Sequence, residues 1–196
     1  LGTSLADAVR GLMDRVVPAL YPKLEMGSRP LRGTEAEGCL KAADLSSLPP
    51  IFYDGPGGLA LVAKNGPEYA PNPSADVARE LRGYLAGHHE YGNREACQGK
   101  SIEAHFGRPP YGWERDMLRL VLAMLFRAGE IEVSFDGQKY SSYRDGRSRV
   151  PFVQNPKFRA AFFTPVKPID LKTLTGAVKA YEELTGTTVD VEKQAI

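Results

Sequence analysis

The chain has 196 residues, with 25 Lys and Arg against 24 Asp and Glu, so its formal net charge is +1. A hydrophobic share of 42% and a charged share of 25% are typical of a globular protein. They exclude a disordered tail, a collagen-like chain and a disulfide scaffold, and the length allows one large domain or two small ones.

The cysteines and the lack of long apolar runs indicate the compartment. Cys39 and Cys97 lie far apart without a second cysteine nearby, so we expect free thiols in a reducing cytosol. No apolar run reaches the roughly 18 residues of a membrane span, and we expect no signal peptide. We therefore expect a cytoplasmic protein without membrane contact. The chain begins at Leu1 and not at methionine, which predicts a piece of a longer protein.

The amino-terminal region predicts two helices. Between Thr3 and Leu20, apolar residues recur at spacings of three and four, which is typical of an amphipathic helix. Tyr21 ends this helix, because a residue before a proline avoids the α region. Thr34 and Glu37 have the spacing of a capping box and predict a second helix to about Ala43.

Residues 46–73 predict an irregular connection, since prolines and glycines interrupt every longer element. Within this connection, residues 59–63 predict a short strand and Asn65-Gly66 predicts a turn. We expect residues 51–53 to be the partner of that strand.

From Ser74 onward the pattern is regular again. Ser74 predicts the N-cap of a helix that ends near Leu85 and is followed by a polar loop to Gly99. Ser101 predicts the N-cap of a short helix that ends at Phe106.

The longest apolar helix is predicted from Trp113 to about Ala128. The alternating residues 131–135, the turn Asp136-Gly137 and residues 138–143 predict a two-stranded ribbon after it. The order helix, helix, turn, helix and ribbon, from Ser74 to Tyr143, is that of a winged helix-turn-helix.

Two further helices are predicted after the ribbon, a short one within Phe152 to Phe163 and a closing one from Ile169 to Leu184. We therefore expect an α+β fold that is mostly helical. It has a winged helix-turn-helix core, an additional amino-terminal helical segment and a closing carboxy-terminal helix. The predicted division is 1–73, 74–145 and 146–196.

No motif in the sequence predicts catalysis, a metal or a cofactor. Gly99-Lys100-Ser101 ends like a phosphate-binding loop, but Arg94 stands where that loop needs a glycine, and no apolar strand precedes it. The spacing of zinc ligands is not found among His88, His89, His105 and Cys97. A nucleophile elbow of the form Gly-x-Ser-x-Gly is also missing from the sequence.

Nucleic-acid binding is the function class that the order of elements favours, because the second helix of the motif enters the major groove. Residues 113–128 are apolar around most of the helix, so the pattern indicates a core helix rather than one that reads bases. Arg115 and Arg119 are the candidates for nucleic-acid contact on this helix.

The ribbon and its flank are basic. Residues 136–160 carry six basic against two acidic side chains, a local net charge of +4. Such side chains neutralise phosphates, and tyrosines between them can stack on bases. The candidates for nucleic-acid contact here are Lys139, Tyr140, Arg144, Arg147 and Arg149. A solvated hairpin with acidic surface nearby explains the same pattern without nucleic acid.

One run of residues resembles a known family. Residues 106–113 read Phe-Gly-Arg-Pro-Pro-Tyr-Gly-Trp, and the apolar helix after them ends with Leu-Phe-Arg-Ala-Gly-Glu-Ile at 125–131. With the helices before them, these residues resemble the carboxy-terminal part of the large P-loop ATPases of BREX phage-defence systems, the BrxC/PglY-like proteins. The resemblance covers about residues 74–143.

The resemblance implies a non-catalytic accessory region of a DNA-directed defence complex, with the ATPase module upstream. It also implies a structural role for Tyr111 and Trp113 in the turn. We expect the ring of Trp113 to pack under the wing while its indole N–H bonds a backbone carbonyl.

Two functions follow as expectations. The chain either contacts the backbone of double-stranded DNA through its basic wing, or it is a docking module without nucleic acid. In the second case the winged-helix surface and residues 46–73 would bind other subunits of the defence complex. The oligomeric state stays open at this point.

Overall fold

The computed structural model describes residues 4–166 and 180–186, which belong to two units that divide after Val166. In the second unit, residues 180–185 are helical. Most of the closing helix predicted from Ile169 to Leu184 therefore lies outside the described residues.

The amino-terminal helix α1 spans Leu5–Leu20. Ser4 caps it, since its hydroxyl accepts a hydrogen bond from the backbone N–H of Asp7 at 3.2 Å. A short helix α2 follows at Leu24–Gly27. The amphipathic helix predicted from the apolar spacing is confirmed in extent.

Helix α3 spans Glu35–Lys41, and the capping box predicted at its start is wrong. Thr34 has a helical backbone, whereas a capping residue needs an extended one, and its side chain makes no cap hydrogen bond. The carboxylate that helps to close this end belongs to Glu35, which accepts a hydrogen bond from the N–H of Arg32 at 2.8 Å.

The proline-rich connection contains one hairpin, with β1 at Val62–Asn65 and β2 at Glu68–Pro71. Gly66 turns between them with a φ of +60°, as the Asn-Gly signal predicts. The prediction that residues 51–53 pair with the strand is wrong. Pro50–Phe52 is a 3-10 turn instead, in which the N–H groups of Phe52 and Tyr53 donate to the carbonyl oxygens of Pro49 and Pro50 and are not free to pair with a strand.

The three helices of the helix-turn-helix are α4 at Asp76–Glu90, α5 at Gly99–Phe106 and α6 at Arg115–Arg127. The predicted N-caps Ser74 and Ser101 are both wrong. Ser74 lies in a turn in which its N–H donates to the Asn72 side chain at 3.1 Å, so α4 starts two residues later. Ser101 lies inside the first turn of α5.

Helix α5 starts at Gly99 because another segment passes close to its backbone there. The N–H of Gly99 donates to the carbonyl oxygen of Ala161 at 2.9 Å, and a Cβ on Gly99 would lie 1.9 Å from the carbonyl oxygen of Phe158. Only glycine fits such an approach. The Gly99-Lys100-Ser101 run is therefore a packed helix start and not a phosphate loop.

The wing is part of a three-stranded antiparallel sheet in the order β4-β3-β5. Strands β3 at Ile131–Phe135 and β4 at Gln138–Tyr140 form the ribbon. Asp136 and Gly137 turn between them with φ values of +48° and +75°, the positive pair that a tight hairpin needs.

The third strand, β5 at Phe162–Pro165, pairs with the other edge of β3. Between wing and β5 lie two short helices, α7 at Val150–Val153 and α8 at Asn155–Ala160. The single helix predicted within Phe152 to Phe163 is therefore wrong at its end. The alternation of half-buried Phe162 and buried Phe163 is a strand pattern.

The hydrophobic core is one cluster that draws on residues from Ala36 to Phe163. Helix α6 lies at its centre, with every residue from Met117 to Phe126 buried. The fold is α+β and mostly helical, as predicted. The division 1–73, 74–145 and 146–196 stays a prediction, and buried residues on both sides of each boundary share this core.

Candidate nucleic-acid interface

The helix in the recognition position is covered by the protein itself. Besides its apolar residues, α6 buries the polar Arg119. At its carboxyl end, the guanidinium of Arg127 donates to the backbone carbonyls of Cys39 and Ala42. These bonds hold the end of α3 against α6, and α7 packs on α6 as well. The prediction of a core helix from the apolar pattern is confirmed.

Both arginines predicted as contacts on α6 are bonded within the protein. Arg115 donates from Nε to Oε1 of Glu103 at 2.9 Å, and this bond raises the pKa of the guanidinium. Arg119 has a side chain only 6% exposed, and burial lowers its pKa. Its guanidinium donates to Asp116 at 3.1 Å and to the side-chain oxygen of Asn155.

A cleft of about 610 Å³ lies beside these arginines, lined by the start of α6, by Gly33 and by residues 153–156. Acidic and basic side chains line it in equal number, namely Glu114, Asp116, Arg115 and Arg119. With both arginines bonded to protein groups, the cleft has no excess positive charge to offer a phosphate.

The ribbon is less basic in space than along the chain. Lys139 on β4 pairs with Glu132 on β3, with 2.6 Å between Nζ and Oε2. Lys157 pairs in the same way with Asp136 at the hairpin turn. The ring of Tyr140 stacks on Phe135 with 5.1 Å between centroids, so one of its faces is not available to a base.

The segment after the ribbon presents two exposed arginines. Arg144 and Arg147 are exposed, and among the described residues neither side chain has an ion pair or a hydrogen bond. Asp145 lies between them and caps the 3-10 turn Gly146–Arg149 through the N–H of Arg147 at 2.8 Å. Arg149 is half-buried and donates from Nε to the carbonyl oxygen of Tyr143 at 3.1 Å.

Tyr111 and Trp113 help to hold the turn before α2 against helix α4 and the core. The hydroxyl of Tyr111 donates to Glu80 at 2.8 Å, and the indole N–H of Trp113 donates to the carbonyl oxygen of Lys23 at 2.9 Å. Lys23 in turn pairs with Glu80 at 2.7 Å, and this bond is the main reason why the pKa of Glu80 lies below its usual range.

The described contacts of the Trp113 ring are with Phe106, Tyr111 and Gly27, rather than with the wing under which we expected it. A Cβ on Gly27 would lie 2.6 Å from the ring, so this glycine lets α2 approach the indole.

Most of the side chains weighed for other chemistry have packing roles, whereas His89 is exposed. His88 and His105 both lie against the ring of Tyr84, with 4.4 Å between ring centroids. Cys39 and Cys97 are buried free thiols, and burial raises the pKa of Cys39 to about 12. Within residues 4–166 and 180–186, no three His, Cys, Asp or Glu side chains are grouped to hold a metal.

The sequence signals did not identify α3 and α7 as the segments that cover α6, nor the pairing of the ribbon charges. Glu132 and Lys139 lie seven residues apart, and only the hairpin register brings them onto one face. Gln154, Asn155 and Pro156 do mark a break between α7 and α8, and that break could have been read as a turn.

The comparisons with known proteins agree with this architecture. Residues 62–149 match the family model described as the BREX ATP-binding protein BrxC winged helix-turn-helix domain. No curated protein and no solved structure matches the chain. In the part of the chain that is described, no helix has the length and apolar character needed to cross a membrane. The match begins at β1 and ends with the 3-10 turn that carries Arg147, so residues 62–149 are a winged helix-turn-helix domain similar to that of BrxC.

Proposed function

We propose that this region is a non-catalytic module of a larger phage-defence ATPase that contacts the DNA backbone through its wing. The observation that carries the proposal is a pair of exposed arginines directly after the ribbon, Arg144 and Arg147, whose side chains have no partner within residues 4–166 and 180–186. Phosphates are the natural partners of such side chains, because neutralising them releases counterions.

Contact of this kind carries no base preference. A base-reading helix has to present polar side chains to the major groove, and α6 presents a surface that α3 and α7 cover. Arg115 and Arg119 bond Glu103, Asp116 and Asn155. We therefore assign the contact with a DNA duplex to the wing and its flank. Contacts with the DNA backbone fix the position of the protein on the duplex without reading the base sequence.

Lys139 can join the contact although it has an ion pair. Its side chain is 62% exposed, whereas that of Glu132 is 21% exposed, so the ammonium group stays accessible to solvent in the pair. A phosphate can therefore approach Lys139 beside Glu132. Arg149 contributes less to DNA contact, because its Nε is committed to the carbonyl of Tyr143.

Charge reversal with a salt titration tests the proposal. We expect the full-length protein to bind a fluorescent 30-base-pair duplex with an affinity that falls steeply as salt rises. Arg144→Glu with Arg147→Glu should weaken binding at least tenfold and reduce the slope of log K against log salt by about 2. Lys64→Glu, at an exposed position of β1 away from the ribbon, is the control and should bind as the unchanged protein does. Equal binding by the double variant and the control would contradict backbone contact by this surface.

The second candidate is a docking module that assembles the defence complex without nucleic acid. It is favoured by the ion pairs of Lys139 and Lys157, which neutralise part of the ribbon with the protein's own carboxylates. The partners would be other subunits of the complex, which bind the winged-helix surface and residues 46–73. Co-elution with those subunits on size exclusion, unchanged by Arg144→Glu and Arg147→Glu, together with absent duplex binding, would favour this candidate.

A further inference from the structure

Helix α1 carries a stripe of large apolar side chains that no described residue of its unit covers. The exposed fractions run from 37% at Val16 to 81% at Leu5, and no residue of α1 is buried. The stripe consists of Leu5, Val9, Leu12, Met13, Val16 and Leu20. An exposed patch made of six large apolar side chains on one face of a folded protein indicates an interaction site.

The charges of α1 are arranged around this stripe. With 3.6 residues per turn, Arg10 and Arg15 fall on its two opposite flanks, while Asp7 and Asp14 fall on the far side. Arg10 reaches Asp7 at 3.7 Å in an exposed pair, and Arg15 donates from Nε to the carbonyl oxygen of Gly11 at 3.0 Å. The rim of the stripe is therefore positive although the helix as a whole is neutral.

A second copy of this helix is a poor occupant. Neither flank of the stripe has an acidic residue, so two copies would bring no carboxylate to Arg10 or Arg15. Two helices of 16 residues share a face of roughly 24 Å by 10 Å. Counted on both helices, that face is roughly 480 Å², well short of the roughly 1,200 Å² that a stable interface buries in total.

A membrane surface is also a poor occupant. Helices that lie on anionic lipid have a polar face rich in Lys and Arg. The polar face of α1 has two aspartates for its two arginines, and the aspartates occupy the side that would face water and headgroups.

We propose that the apolar stripe of α1 docks into an apolar groove on another protein, with acidic side chains along both rims of the groove. A groove between two helices covers more of α1 than a single helix can, and this is a common mode of helix recognition. Acidic rims complement Arg10 and Arg15, which steer the encounter and fix the register. This interface is separate from the wing and holds whether or not the wing binds DNA.

Photo-crosslinking in the host cell tests the proposal with the full-length protein. The probe is p-benzoylphenylalanine, placed at Leu12 on the stripe or at Asp14 on the far side as the matched control. We expect an adduct with another protein from position 12 and none from position 14. Mass spectrometry of the adduct should locate the crosslink beside apolar residues flanked by Asp or Glu. Arg10→Glu with Arg15→Glu should reduce the adduct at least fivefold.

Several results would overturn the proposal. These are an adduct between two copies of the chain, no adduct at all, equal adducts from positions 12 and 14, or an adduct that charge reversal leaves unchanged. Co-flotation of the protein with vesicles of 30% phosphatidylserine, lost on Leu12→Asp, would also overturn it. The crosslink and the duplex titration are independent, so failure of one leaves the other to be judged on its own.

Discussion

Helices α1 and α6 both have apolar residues at helical spacing, yet the structure exposes those of α1 and buries those of α6. Every residue of α6 from Met117 to Phe126 is buried, whereas α1 buries none. Helical periodicity predicts that a helix forms, but the surrounding segments decide whether its apolar face is covered. In this unit α3 and α7 cover the helix expected to meet DNA, and the helix at the amino terminus is left open.

The largest expected effect comes from truncating one apolar side chain in each helix. Phe126 is buried against Phe152, so Phe126→Ala should lower the free energy of unfolding by about 3–5 kcal/mol. Leu12→Ala, on the exposed stripe of α1, should change it by less than about 0.5 kcal/mol. Urea unfolding followed by Trp113 fluorescence measures both. Similar losses for the two variants would show that α1 is covered within the chain.

Two glycine substitutions compare the packed backbone at the start of α5 with the open backbone of α1. Gly99→Ala would place a Cβ within 1.9 Å of the Phe158 carbonyl, and we expect a loss of about 1–3 kcal/mol. Gly11 in α1 has open space around it, so Gly11→Ala should stabilise the helix by about 0.5–1 kcal/mol. Urea unfolding compares Gly99→Ala with the unchanged protein, and circular dichroism at 222 nm follows Gly11→Ala. A stable Gly99→Ala variant would mean that α8 can move away from α5.

The ion pair of Lys23 and Glu80 links the turn before α2 to helix α4. Its dependence on pH tests whether this link stabilises the fold. The folded pKa of Glu80 lies below its ordinary value of 4.5, chiefly because Lys23 hydrogen-bonds it. The stabilisation is therefore complete above pH 4.5 and is lost as the pH falls through the lowered folded pKa. Glu80→Gln should be less stable at pH 6, and the difference should shrink towards pH 3. A difference that is constant with pH, measured by urea midpoints, would contradict this role.

The smallest effect is expected at the ribbon. Lys139→Met removes the exposed pair with Glu132 and should change the free energy of unfolding by less than about 1 kcal/mol. The same variant should weaken duplex binding if the wing contacts DNA, because one phosphate contact is lost. A large loss of stability would mean that the pair holds the hairpin together, rather than being an exposed surface pair.

Much of this fold could be predicted from local signals. Apolar spacing predicted α1, α4 and α6, and Asp136-Gly137 predicted the hairpin with its two positive φ angles. The predictions failed where a distant segment decides the local structure. In the sequence Gly99 resembles part of a phosphate-binding motif, whereas in the structure the backbone of Phe158 and Ala161 packs against it.

The candidate site shows the same division. The exposure of Arg144 and Arg147 is consistent with their place in a polar turn. The burial of Arg119 and the pairing of Lys139 depend on Asn155 and Glu132, which lie elsewhere along the chain. Local charge counts therefore overestimate the positive potential of the wing, because they omit the carboxylates that folding brings beside it.

The pairing of β3 with strands on both edges has a consequence for motion. Strand β5 follows α7 and α8, and α7 covers one side of α6, so one continuous stretch covers part of the recognition helix and completes the sheet. Exposing α6 to solvent would require this stretch to detach together with α3. Amide hydrogens of α6 and β5 should then exchange with solvent in a single opening event, at the slow rate of global unfolding.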